Sequence, residues 1–211
     1  MMDEKLAELT IEIKQCEACH LKDNRTQVVP GIYGPKNSLC IIGEAPGFNE
    51  DKEGFPFVGR SGKLLDKMLE SINFSRQQIS ILNVVKCRPT DENMGNRTPN
   101  ESELKFCGER WLYKQLNSLT PKLIVTLGGI SLKFFFPSAK VTKSAGKVLT
   151  LDEGYPIFAT FHPAYILRNY NKIEEYSAHF QEISKLYDQF NGERIIGKTS
   201  RSEQKSLTDF M

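Results

Sequence analysis

The sequence predicts an α/β fold: a three-layer αβα sandwich around a central, mostly parallel four-stranded sheet. Short apolar runs at residues 39–42, 79–85, 123–127 and 157–161 are continuous rather than alternating, as expected of strands buried on both faces. Helical patterns separate the runs, so successive strands are joined by crossovers rather than hairpins. With 211 residues and 39% hydrophobic content, the chain can bury one ordinary core.

Residues 3–15 read as an amphipathic helix that delivers Cys16 and Cys19 at its end, and 26–31 as an extended segment. The first strand, 39–42, stops abruptly at Gly43-Glu44-Ala45-Pro46-Gly47, whose glycines permit close approach of backbone to a ligand. About a dozen polar residues follow, then Phe55-Pro56-Phe57. Gly59-Arg60-Ser61-Gly62 opens a helix over 64–72 whose Leu64, Leu65, Met68 and Leu69 share a face. Its free N–H groups and Arg60 suit an anion such as a phosphate. The second strand, 79–85, runs into Lys86-Cys87-Arg88-Pro89. A polar loop over 90–100 ends in Pro99 and Asn100 ahead of Glu101 and Glu103, a helix start, and that helix carries Cys107 and continues through Leu116. After the third strand, Gly128-Gly129 opens a helix through Phe136. A polar hairpin over 146–156 leads to the fourth strand, which stops at His162-Pro163-Ala164. Residues 173–190 form a long final helix. From Gly192 the composition turns polar and basic, which divides the chain into one domain over 1–191 and a flexible tail over 192–211.

The net charge of +2 and a sequence pI of about 8.2 permit a nucleic-acid partner without demanding one. No apolar run is long enough to span a membrane, and charges throughout the first 15 residues argue against a signal peptide, so a cytoplasmic protein is expected. Five cysteines in such a chain read as reduced thiols or metal ligands rather than disulfides. Cys40 lies inside an apolar strand and reads as core. Cys16 and Cys19 form a CxxC, with Cys87 and Cys107 beside a turn and on a helix, and redox chemistry, a zinc site and chance all remain open on spacing alone.

In sheets of this kind ligands bind at the carboxyl ends of strands, where Glu44, Asn83 and His162 fall. An Asn inside the apolar run ILNVV is expensive unless its amide is hydrogen-bonded, whether to a ligand or to backbone at the strand end. His162 before a proline reads either as a turn histidine or as a functional one.

The stretches GEAPGFNEDKEGFPFVGRSGKLLDKML, LNVVKCRP and FHPAYILRN, together with Cys16, Cys19, Cys87 and Cys107, resemble a family-4 uracil-DNA glycosylase, the iron–sulfur type of bacteria and archaea. The likeness runs to about Leu186. It implies a monofunctional enzyme that flips uracil out of single- or double-stranded DNA, hydrolyses its bond to the sugar and leaves an abasic site. It also implies catalytic roles for Glu44 and His162. In the uracil site it places Ala45, Glu50, Phe57 and Asn83: Phe57 stacks on the base, Asn83 pairs with its polar edge, and Glu50 crowds the position of thymine's methyl. His162 would stabilise the departing uracil anion and Glu44 the water or the cationic sugar. Arg60, Ser61, Lys143, Ile166, Leu167 and Arg168 are implied as DNA contacts, the residues after His162 supplying a wedge for the vacated stack. The four cysteines are implied ligands of a structural 4Fe-4S cluster, with zinc as the alternative.

The chain departs from the family pattern in two places. The 90–100 loop is somewhat long, and Ser144-Ala145-Gly146 stands where many members carry Arg-Gly. A covalent-trapping branch is disfavoured because no histidine occurs between His20 and His162. In the tail, Gln204, Leu207 and Phe210 resemble a sliding-clamp-binding peptide. The rival readings are a glycosylase of broader specificity and a non-catalytic iron–sulfur DNA-binding module. A monomer without membrane attachment is expected.

Overall fold

A computed structural model describes residues 4–150 and 154–190. β1 (Leu39–Gly43) lies mid-sheet and is buried throughout. It pairs in parallel with β2 (Ser80–Asn83) on one side and β3 (Leu123–Leu127) on the other, and β3 pairs in parallel with β5 (Pro156–Thr160). A fifth strand, β4 (Lys147–Thr150), runs antiparallel to β5 and completes the order β2-β1-β3-β5-β4. The expected count of four strands is therefore corrected to five. β4 sits at the sheet edge, exposed or half-buried along its length, so it has no continuous apolar run to announce it.

Alternate residues of each strand serve opposite faces. Cys40, Ile42, Leu82, Ile124 and Ile157 meet Leu6, Leu9 and Ile13 of α1 (Glu4–Lys14). Leu39, Ile41, Ile81, Val125 and Phe158 meet the other layer, whose members come mainly from two helices. These are α3 (Arg60–Glu70), with Leu65 and Leu69, and α9 (Ile173–Phe190), with Tyr176, Phe180 and Ile183. Burial of each such side chain contributes about 1.5–3 kcal/mol. Among the described residues no helix is long and apolar enough to cross a membrane.

Two short helices lie where irregular chain was expected. α2 (Phe48–Glu53) occupies the polar stretch after β1, and α8 (Pro163–Arg168) starts immediately after His162, with Pro163 at a position where a missing N–H costs nothing. α4 (Glu101–Cys107) passes through a π-helical turn, Gly108–Leu112, into α5 (Tyr113–Leu119). The turn requires glycine at 108, because a Cβ there would lie 2.2 Å from the Phe134 ring. Residues 26–31 form no strand. Instead the Val29 N–H donates to the Lys86 carbonyl (2.8 Å), and Ile32 exchanges two hydrogen bonds with Ile81 of β2 (2.9 and 2.8 Å). After β1 the chain builds β2 on one side and then crosses to β3 on the other, which opens a crevice at the carboxyl end of β1.

Candidate active site and cysteine centre

The crevice holds a pocket of about 370 Å³. Ala45, Glu50, Phe57, Asn83 and His162 all line it, so the ends of β2 and β5 and the segment after β1 converge on one space. Asn83, the last residue of β2, is buried, and its Oδ1 has no hydrogen-bond partner among the described residues. An orphaned buried acceptor of this kind costs about 1–3 kcal/mol unless something donates to it. Directly across the register is Gly43, where a Cβ would lie 2.4 Å from Asn83 Oδ1 and 2.6 Å from Phe57 Cζ. Glycine at 43 thus lets the amide and the ring share one small volume.

Phe57 is 6% exposed and held at φ 55°, a left-handed conformation that a bulky side chain rarely adopts. Several groups hold it there. Glu50 reaches across from α2, and its Oε1 accepts from the N–H groups of Val58 (3.0 Å) and Gly59 (3.1 Å), while Oε2 accepts from Gly47 (3.1 Å). Arg76 donates to the carbonyls of Pro56 (3.0 Å) and Phe57 and is itself fixed by Asp66, Nε to Oδ1 at 2.6 Å. Gly62 leaves room for the turn, since a Cβ there would overlap the Phe57 carbonyl. Asp51, buried on α2, anchors the helix by accepting from the backbone of Thr26 (2.9 and 3.0 Å). The sequence reading missed Arg76, Asp66 and Gly62. They act on backbone rather than on a ligand, and only the glycine beside Arg60-Ser61 hinted at close packing.

His162 caps α8: its Nδ1 accepts from the Ala164 N–H at 3.1 Å. The ring proton therefore resides on Nε2. Burial pushes the imidazole pKa down to about 4, with Arg168 adding to the effect and Glu50 opposing it. The side chain is thus a neutral N–H donor at physiological pH, and its ring lies 5.9 Å from that of Phe57. Glu44 follows β1 but is not among the residues lining the pocket. Burial raises its pKa to about 7, tempered by a hydrogen bond with the Thr98 side chain.

Of the expected DNA contacts, Arg60 and Ser61 line the pocket at the start of α3. Lys143 is exposed on α7 (Val141–Ser144), Arg168 is exposed and Leu167 is half-buried. Ile166 is fully buried in the core with α3 and α9, so it cannot enter a base stack, and that expectation is corrected. Tyr165 is the neighbouring residue that faces outward. Gln204, Leu207 and Phe210 lie outside the described residues.

All five cysteines are free thiols. Cys16, Cys19, Cys87 and Cys107 gather around one apolar cluster, and Cys87 and Cys107 lie within electrostatic range of each other and of Cys19. Three of the four sulfurs accept hydrogen bonds: Cys16 from Trp111 Nε1 (3.4 Å), Cys87 from Arg25 Nη1 (3.1 Å) and Cys107 from the Lys86 N–H (3.3 Å). Burial pushes Cys87 up to about 11 and Cys107 to about 12, which makes both poor free nucleophiles. Glu103 ties the CxxC segment to α4, accepting from His20 Nε2 (2.8 Å) and from both arms of Arg97. Burial opposes its ionisation, yet Arg97, the Asn100 N–H and His20 outweigh it and hold the carboxyl near 2. Among the described residues, no group of three or more His, Cys, Asp or Glu side chains is close enough for a single metal ion.

Fold and pocket define a member of the uracil DNA glycosylase superfamily, whose family model matches residues 30–186. A type-4 uracil-DNA glycosylase of Thermotoga maritima is 43% identical over 169 residues, 79% of this chain and 85% of that protein. Those of Archaeoglobus fulgidus and Sulfurisphaera tokodaii are each 37% identical, covering 87% and 96% of this chain and 94% and 95% of their own lengths. The chain belongs to the type-4 uracil-DNA glycosylases.

Proposed function

We propose that the chain excises uracil from DNA by hydrolysing the bond between base and sugar, with the pocket as the base site. The observation that carries this reading is the buried, partnerless Oδ1 of Asn83, set beside the Phe57 ring and the Nε2–H of His162 in one pocket. An amide in that place offers Oδ1 to uracil's N3–H and Nδ2–H to its O4. Cytosine reverses both groups and leaves them unpaired. Phe57 supplies the flat partner on which an extruded base stacks. The Nε2–H of neutral His162 donates to the oxygen that gains charge as uracil leaves, and it needs no proton from solvent to do so. Glu44, as carboxylate, orients the attacking water or faces the cationic sugar. Glu50 acts twice, bracing the Phe57 turn and narrowing the pocket where thymine carries its methyl. Arg60, Ser61 and Lys143 offer phosphate contacts, while Leu167 and Arg168 flank the gap in the stack. The test is single-turnover cleavage of a uracil-containing strand beside identical strands with cytosine, thymine or hypoxanthine. Uracil-only cleavage is expected, and a protein with no cleavage overturns the reading.

Cys16, Cys19, Cys87 and Cys107 are the residues that would hold a 4Fe-4S cluster. The N–H donors aimed at three of the sulfurs suit thiolate ligands, and a cubane spreads its thiolates more widely than the compact set a lone zinc needs. When bound, the cluster supplies a covalent tie among α1, the Cys87 loop and α4, and a net negative charge. Iron and sulfide content, with visible absorbance, decides between cluster and zinc. The chain acts as a cytoplasmic monomer on DNA, its domain ending near 191, with residues 204–211 engaging a sliding clamp. Deletion of 200–211 is expected to abolish clamp binding and spare cleavage.

A further inference from the structure

Two residues of the pocket lining, Phe48 and Asn96, take no part in the chemistry proposed for the base. Phe48 is the first residue of α2 and is 58% exposed, although the other phenylalanine of the pocket, Phe57, is buried. A single exposed phenylalanine needs no explanation in itself. This one has a buried cation behind it. Arg88, 6% exposed, sets its guanidinium 5.0 Å from the centre of the Phe48 ring, a cation–π contact that covers one face and leaves the other to solvent.

The same guanidinium orients Asn96. Its Nε donates to Asn96 Oδ1 at 2.6 Å, and its Nη2 donates to the Met94 carbonyl at 2.7 Å. An arginine nitrogen can only donate, so the amide is fixed with its oxygen toward Arg88 and its Nδ2 turned away. Among the described residues Nδ2 donates to no group, and it lies 3.4 Å from where a Cβ at Gly47 would stand, against the pocket wall. Bonding to a cation polarises the amide and makes its free N–H a stronger donor. The neighbouring backbone is pinned as well: Arg97 donates through Nε to the Thr90 carbonyl (2.8 Å) and through its N–H to that of Pro89 (3.2 Å). The 90–100 loop thus delivers a held donor to the pocket rim.

A flat apolar face backed by a cation, with a directed N–H beside it, matches a nucleotide: the ring takes a base and the N–H a phosphate oxygen. We propose that Phe48 and Asn96, both held by Arg88, form a second nucleotide subsite at the pocket rim. Phe48 stacks on the base adjacent to the uracil on the same strand, and Asn96 Nδ2 donates to the phosphate that joins the two nucleotides. The proposal rests on the uracil-excision reading above. A single strand, whose bases are free to turn, supplies such a neighbour.

The test uses single-stranded oligonucleotides in which uracil is flanked by ordinary bases, or in which an abasic spacer replaces the base on its 5′ or its 3′ side. Wild type is compared with Phe48→Ala, Asn96→Ala and Asn96→Asp. On one of the two spacer strands wild type should lose about tenfold in kcat/KM, within the range of one base–aromatic stack. Phe48→Ala should lose as much on the unmodified strand and nothing further on that spacer strand, since the ring's partner is already gone. Asn96→Asp keeps an oxygen for Arg88 but sets a carboxylate before the phosphate, so its dissociation constant for the strand should rise more than that of Asn96→Ala. The proposal is overturned if Phe48→Ala cleaves the unmodified strand as wild type does, if its deficit is the same on all strands, or if Asn96→Asp binds no more weakly than Asn96→Ala. Weakened inhibition of Phe48→Ala by free uracil also overturns it, by placing the ring in the base site. A wild type that cleaves all the strands equally fails the subsite alone, whereas a folded wild type that cleaves none fails the excision reading and the subsite with it.

Discussion

The pocket and the cysteine centre are assembled in opposite ways. The pocket draws on strand ends that the sheet already holds in register, and its flanking turn is pinned by side chains that capture backbone groups, Glu50 on one side and Arg76 on the other. It is complete except for one open acceptor, Asn83 Oδ1. The cysteine centre joins three segments that no sheet registers, and it relies on N–H···S bonds and on the Glu103–Arg97–His20 group. A site that must discriminate between bases is built on rigid elements, whereas a site that serves as a fastener can be made from loops.

This contrast can be broken at several points. The largest effect is expected for His162→Ala, which removes the donor proposed for the leaving group. Single-turnover cleavage should slow by about a hundredfold or more with Tm unchanged, and a smaller loss would remove His162 from the reaction. Glu50→Gln tests whether the pocket depends on its brace. Losing charge-assisted bonds to three N–H groups should lower kcat/KM by about tenfold to a hundredfold.

The pH profile sharpens the assignment further. In its proposed role Glu44 must ionise to act, and burial raises its pKa to about 7, so kcat/KM should fall about tenfold per unit as pH drops below 7. His162 stays neutral until about pH 4 and contributes no limb above that. A Glu44→Gln enzyme should be slower and flat across pH 5–8, and a persisting limb would assign it elsewhere. The smallest effect belongs to the cysteine side. Glu103 has a depressed pKa, so its contribution to stability is fully present above about pH 4.3, the unfolded value, and is lost as pH falls through about 2. Glu103→Gln should lower Tm by a few degrees at neutral pH, with the difference from wild type closing in strong acid.

Much of the pocket was legible in the sequence because its residues interrupt strong patterns. Asn83 breaks an apolar run and His162 precedes the proline that opens α8, whereas Glu44, which ends the first run, lies outside the pocket lining. The brace was not legible. Arg76 lies 19 residues from the Phe57 carbonyl it holds, and nothing about a phenylalanine announces a left-handed backbone. α2 escaped notice because its six residues bury only Asp51 and so show no apolar stripe. β4 escaped because an edge strand needs none. Ile166 was misplaced because a six-residue helix turns its middle toward the core, and no apolar pattern after His162-Pro163-Ala164 announces that helix.

The pair of hydrogen bonds between Ile32 and Ile81 bears on how the molecule behaves at high concentration. Among the described residues β2 has one strand neighbour, and its outer row of amide groups would otherwise offer a template for another chain to add to. Ile32 occupies that row at its midpoint. The opposite margin is guarded differently, by Lys147 at the start of β4, where a desolvated ammonium would oppose docking. Replacing Ile32 with proline should therefore expose the strand that ends in Asn83 to self-pairing before the far edge yields.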